Sequence, residues 1–99
     1  MDDIVSFVFR SLKTFDSEKL NFFFDEMISR FGIDMLRYKG VLNVKGTDNK
    51  VVFQGVQQLM GSDLVEKWPA GPRESKMVFI GKKLPKEIFI EGLEKCLID

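Results

Sequence analysis

Apolar residues change their period three times along the chain, and the changes mark its elements. In "DIVSFVFRS", residues 3–11, they alternate: Val5, Phe7 and Phe9 fall on one side, Ile4, Ser6, Val8 and Arg10 on the other. That pattern predicts a strand with its phenylalanine side buried. From Leu20 the spacing turns helical, and Leu20, Phe23, Phe24, Met27, Ile28 and Phe31 make one amphipathic stripe. Asp16 stands where an N-cap carboxylate accepts an otherwise unpaired amide of the first turn, and Gly32 supplies the stop.

Alternation returns in "MLRYKGVLNVKG", residues 35–46, the second strand. "GTDNK" carries turn chemistry and "VVFQGVQQL" alternates again, so these two strands are expected to pair as an antiparallel hairpin. Residues 60–74, "MGSDLVEKWPAGPRE", hold two of the three prolines and the sole Trp. They read as a long loop with at most one short helical turn between Asp63 and Lys67. "SKMVFIG" predicts a fourth strand, and "LPKEIFIEGLEKCLID" a closing helix. In that helix Pro85 stands near the first helical position, with Phe89, Leu93, Cys96 and Leu97 on one stripe. The expected fold class is α+β, a four-stranded, mainly antiparallel sheet in the order β-α-β-β-β-α. Its two amphipathic helices pack on one face, because neither can bury its stripe alone.

Composition narrows the chemistry more than the fold. Ninety-nine residues make one domain with one modest core. Fifteen cations balance fifteen anions, so no global charge draws the chain to nucleic acid or an anionic membrane. There is no histidine, which removes His-based acid–base catalysis and the commonest zinc ligand. Cys96 is alone, so no intrachain disulfide forms; a reducing compartment and a cytoplasmic location are expected. Its place on an apolar stripe reads as a small buried hydrophobe rather than a nucleophile. No stretch matches the phosphate-binding loop GxxxxGK[ST], and no CxxC pair exists. "KGVLNV" echoes an RNA-binding pattern but has Val41 and Asn43 where stacking rings belong. The expectation is a chain with no catalytic residue, no metal ligand, no cofactor of its own, and neither nucleic acid nor membrane as partner.

Two places remain for function. Arg37 and Lys39 project to one side of the second strand, followed by Gly40, where another backbone can approach closely. They either cover a wet sheet face with their stems or form a site for an anion or an acidic partner. Trp68 is either a lid over the core or an exposed anchor for a partner.

Taken in order, "VSFVFRSLKTFDSEKLNFFFDEM", "DMLRYKGVLNVKG", "VVFQGVQQL", the Trp, and "RESKMVFIGKKL" with "IFIEGLEKCL" resemble the C-terminal domain of the CobW family. These are P-loop GTPases related to nitrile hydratase activators and implicated in metal delivery. The R-x-K-G run at Arg37, Lys39 and Gly40, and "MVFIG" with Arg73 and Ser75 before it, carry most of the likeness. The resemblance implies a single domain over 1–99, excised from a larger GTPase, with "MDD" an abrupt start behind an added initiator Met. It implies a non-catalytic regulatory or protein-interaction role in a GTP-dependent metallochaperone or cobalamin-synthesis protein. GTP, Mg and a divalent metal such as Zn or Co belong to the parent. The implied partners are the parent's N-terminal GTPase domain and a client metalloprotein, with Arg37, Lys39, Gly40, Trp68 and Arg73 as candidate contacts. The alternative is an independent small protein- or ligand-binding domain that keeps only the fold.

Overall fold

Eight elements follow one another in the computed structural model, which describes residues 3–98. They are β1 (Ile4–Ser11), α1 (Ser17–Phe31), a 3-10 turn (Gly32–Asp34), β2 (Arg37–Leu42), β3 (Asn49–Val56), β4 (Leu59–Lys67), β5 (Ser75–Lys82) and α2 (Lys86–Glu94). The sheet has the order β1-β5-β2-β3-β4, and every neighbouring pair is antiparallel. Both helices cover one face. The start of the chain and the Asp2 carboxylate lie outside the described residues.

Ring packing shows how the helices are seated. Phe89 of α2 meets Phe79 at 5.0 Å and Phe7 at 5.6 Å between centroids, while Phe24 of α1 stacks on Phe53 at 5.0 Å. One helix therefore lies over β1 and β5 and the other over β3, with Phe23 joining them across the seam at 6.3 Å from Phe89. Aromatic pairs at these separations add to the stabilisation their burial already gives. Phe15, fully buried, bridges Val44 on one side and Leu97 on the other, so the chain between β1 and α1 is also tied into the core.

The α+β class and the helices on one face stand as expected; the sheet has five strands, not four. The extra strand is β4, which takes Leu59 from the end of the predicted third strand and residues 60–67 from the stretch read as a loop. Its two faces are both largely exposed, with Leu59 and Leu64 at 80% and 64%, because no helix reaches over it. An uncovered edge strand needs no apolar alternation, and its hydrogen bonds to β3 leave no mark in side-chain pattern. The turn before it is equally silent. Val56 pairs with Leu59 across Gln57 and Gln58, and Gln57 itself takes φ 55° without a glycine or asparagine to announce it. The third strand accordingly stops at Val56 instead of running to Leu59.

Smaller differences lie at helix ends. The Asp16 carboxylate accepts the Lys19 amide at 2.9 Å, the expected N-cap. Gly32 ends α1 with φ −51°, so the chain continues into the 3-10 turn without the left-handed reversal of a glycine stop. Pro85 is the N-cap of α2, one place before the helix. Leu97 and Cys96 fall beyond its end, where the backbone leaves the helix to bridge Phe15.

Candidate functional site

Alternation along β2 puts Tyr38, Gly40 and Leu42 towards the helices and Arg37, Lys39 and Val41 on the helix-free face. Tyr38 anchors this register. Its ring stacks near Phe79 at 6.2 Å, and its hydroxyl donates to the Gln57 carbonyl at 2.8 Å. Burial raises the Tyr38 phenol above its ordinary value. With that ring held inside, the cations on either side of it have only the open face to occupy.

Around them the neighbours are aliphatic. Arg37 lies opposite Ile80, and Lys39 lies between Val78 on β5 and Gln54 on β3. Shallow clefts of about 270 Å³ flank the pair, one floored towards Val78 and Ile80, the other towards Val56 and Leu59. Further along the same face, Val8 opposes Val78 and Arg10 opposes Lys76. Among the described residues Arg37, Lys39 and Lys76 make no ion pair, whereas Arg10 has Glu74 at 3.5 Å. The face is thus a patch of Val and Ile framed by cations, of which Arg10 is paired with Glu74, with Asp63 further along the row through Val41 and Val52.

Gly40 plays a different part from its neighbours. A Cβ there would meet the Lys76 carbonyl oxygen at 2.2 Å and the Met77 sulfur at 2.6 Å, so the close backbone it admits is β5 of its own chain. Arg73 is drawn to the other end of β2. Its guanidinium donates to Asp48 at 3.2 Å and to the Asn43 amide oxygen at 3.5 Å, beside a polar cleft of about 330 Å³ with Thr14 and Lys45. Trp68 follows β4 directly, half-buried, with its amide on the Asp48 carbonyl at 3.0 Å and the Lys50 ammonium 5.7 Å above the ring. Its indole N–H is shielded and has no hydrogen-bond partner in the structure. The five sequence candidates therefore separate. Arg37 and Lys39 share one patch, Gly40 holds it against β5, and Trp68 and Arg73 belong to the far end of the β2–β3 hairpin.

Sequence reasoning passed over Lys76, Val78 and Ile80, the rest of the patch. The signal was present in "SKMVFIG": Met77 and Phe79 are fully buried, so the residues between them had to face outward.

No metal site accompanies this face. Among the described residues no three His, Cys, Asp or Glu converge to hold an ion. Cys96 is buried, donates its thiol to the Gly92 carbonyl at 3.3 Å, and is pushed up to about 11 by desolvation, far from a thiolate ligand. The described residues offer no donor set that fits zinc. Among the described residues no helix is long and apolar enough to cross a membrane.

The structure is an antiparallel sheet with helices on one side and a bare, cation-framed face on the other. Residues 4–97 match the family model of the cobalamin synthesis protein CobW C-terminal domain, and the chain belongs to that family. Among curated proteins it is similar to the zinc chaperone YjiA of Escherichia coli, 35% identical over 86 residues, covering 87% of this chain and 27% of YjiA. The crystal structure of the Zn(II)-bound YjiA GTPase from E. coli superposes with a TM-score of 0.92 at 31% identity, over 97% of this chain and 30% of that one. A Zn(II)-bound triple mutant of YjiA GTPase gives the same TM-score. The chain thus spans less than a third of these relatives' length.

Proposed function

We propose that this chain is the non-catalytic docking and regulatory domain of a CobW-type, GTP-dependent metal chaperone. The observation that carries the reading is the pair Arg37 and Lys39, without an ion pair among the described residues, on an aliphatic sheet face that none of the described elements covers. Solvated cations over Val and Ile suit a partner that brings carboxylates and apolar side chains together, because the charges steer the encounter and the aliphatic floor supplies burial. The parent's GTPase domain is the first partner this reading expects, and a client metalloprotein the second. A nucleotide-dependent change in docking would couple GTP turnover to metal handover, since a ligand shifts an equilibrium only through states it binds unequally. On this reading the metal is handled by the rest of the parent, since among the described residues no three His, Cys, Asp or Glu converge in this domain.

The test is the double charge reversal Arg37→Glu with Lys39→Glu, titrated by calorimetry against the parent's separately expressed GTPase portion loaded with GTP or GDP. Binding should weaken by tenfold or more, on the order of 1.4 kcal/mol or greater, while the thermal melt stays cooperative and unshifted. A variant that binds as the parent does refutes the docking role. A variant that loses its cooperative melt shows the pair to be structural.

A further inference from the structure

At the turn end of the β2–β3 hairpin lies a site of different chemistry from the sheet face. The cleft of about 330 Å³ there is walled by three segments distant in sequence: Thr14 before α1, residues 43–48 between β2 and β3, and Arg73 ahead of β5. Backbone bonds fasten these segments to one another. The Phe15 amide donates to the Asn43 carbonyl at 2.9 Å, and the Lys45 amide to the Phe15 carbonyl at 2.9 Å. The Asn43 amide donates to the buried Ser75 hydroxyl at 2.7 Å, two residues on from Arg73. The walls are thus in place before a ligand arrives, and binding need not order them.

The lining is rich in donors. Arg73 carries a guanidinium fork, of which one nitrogen donates to Asp48 at 3.2 Å and another to the Asn43 amide oxygen at 3.5 Å. The Asp48 side chain is 79% exposed, so water screens that ion pair and a ligand can compete with it. Lys45 is exposed and makes no ion pair among the described residues. The Thr47 hydroxyl oxygen accepts the Asn49 amide at 3.1 Å, which leaves its hydrogen to donate. Asn43 is only 7% exposed, yet its side-chain bonds are long, 3.4 Å to Thr14 and 3.5 Å from Arg73. Buried amides ordinarily have closer partners, and this one borders a cleft with room for one. Lys45 and Arg73 against Asp48 leave the lining net positive.

We propose that this cleft binds the phosphate group of a small molecule, with Arg73, Lys45 and Thr47 as its donors. A carboxylate offers two oxygens in one plane, which the Arg73 fork alone would satisfy, leaving Lys45 and Thr47 without a part. A phosphate directs three acceptor oxygens to different sides and employs donors from separate segments. Asp48 opposes the ligand, by repelling the anion and by holding the guanidinium, and so keeps the affinity low. The site shares no residue with the Arg37–Lys39 face and does not depend on the docking reading.

Amide NMR of the 99-residue chain, titrated with inorganic phosphate against sodium chloride at equal ionic strength, tests the site. Shifts should gather at residues 14–15, 43–48 and 73 and saturate with a Kd of about 1–10 mM. Arg73→Ala should weaken binding about tenfold or more, and Arg73→Lys, which keeps the charge but loses the fork, should restore only part. Lys45→Ala, at an exposed position, should weaken it severalfold with an unchanged melt, which separates binding from the structural bonds of Arg73. Asp48→Asn should tighten it, because the competing carboxylate is gone. Glycerol phosphate distinguishes the sources: tighter binding than inorganic phosphate assigns the site to a phosphate ester, equal binding to the free ion, and either upholds it. Shifts that never saturate, or that spread over Arg37, Lys39 and Lys76, show nonspecific ion pairing and overturn the proposal. Acetate that binds as tightly as phosphate overturns it too, since the cleft would then read a carboxylate.

Discussion

Tyr38 lays its ring directly over Gly55: a Cβ on that glycine would come within 2.3 Å of the tyrosine Cζ. The two residues face one another across the β2–β3 ladder, so the absence of a side chain on one strand is what admits the ring of the other. That contact keeps Tyr38 on the helix side, and strand alternation then holds Arg37 and Lys39 outward.

Gly55→Ala should accordingly destabilise the domain by ~2–3 kcal/mol, the upper range for overpacking a filled site. Tyr38→Phe retains the ring and loses only the bond to Gln57, costing ~1 kcal/mol. Urea unfolding of both variants checks the order; equal costs would show that the hydroxyl, not the ring, holds the register.

Gly40 and Gly61 provide an internal contrast. A Cβ at Gly40 collides with the backbone of β5, while one at Gly61 meets nothing within 4 Å. Gly40→Ala is expected to cost ~3 kcal/mol or abolish folding, and Gly61→Ala to change stability by less than ~0.5 kcal/mol. The midpoints of their thermal melts should separate clearly.

Alkaline stability should carry the mark of Cys96. Its thiol is raised from 9.0 to about 11 by desolvation, so the folded state holds this proton more tightly than the unfolded chain. The associated stability is complete below pH 9 and is lost as pH rises from there through about 11, an effect on the order of 2 kcal/mol. Tyr38, also raised, contributes the same sign at higher pH, from 10.0 upward. Cys96→Ala should flatten the pH 9–11 slope of denaturant-midpoint titrations and leave the Tyr38 part in place.

Removing the cap of α1 tests a local prediction. Asp16→Ala leaves the Lys19 amide without its acceptor and should cost ~1 kcal/mol, whereas Asp16→Asn should recover most of it. Chemical denaturation with far-UV circular dichroism reads both.

Much of this architecture was legible because burial repeats with the period of the backbone. The stripe from Leu20 to Phe31 could only be a helix, and Phe7, Phe9, Met77 and Phe79 could only belong to half-covered strands. β4 was not legible for the converse reason. Only Met60 of β4 packs against the core and the strand is otherwise largely exposed, so burial left too little period to read, and the Gln57–Gln58 turn reaches its left-handed conformation without a turn residue. Among the candidate residues, Arg37 and Lys39 were found by their shared side of one strand. Lys76, Val78 and Ile80 join them only because β5, distant in sequence, lies beside β2.

By itself the sequence determined the period of its elements, the N-cap at Asp16, the want of histidine and phosphate-loop chemistry, and a family pattern running through Arg37, Lys39 and Gly40. Those properties are local, or are counts, and need no knowledge of neighbours. Tertiary structure decided the rest. It placed β5 between β1 and β2, put the second helix-free cation row beside the first, sent Arg73 to Asp48 instead of Arg37, and walled the Arg73 cleft with Thr14. Each of these depends on strand order and on which connections meet, which arise from contacts between residues far apart in the chain and leave no trace in the spacing of any one segment.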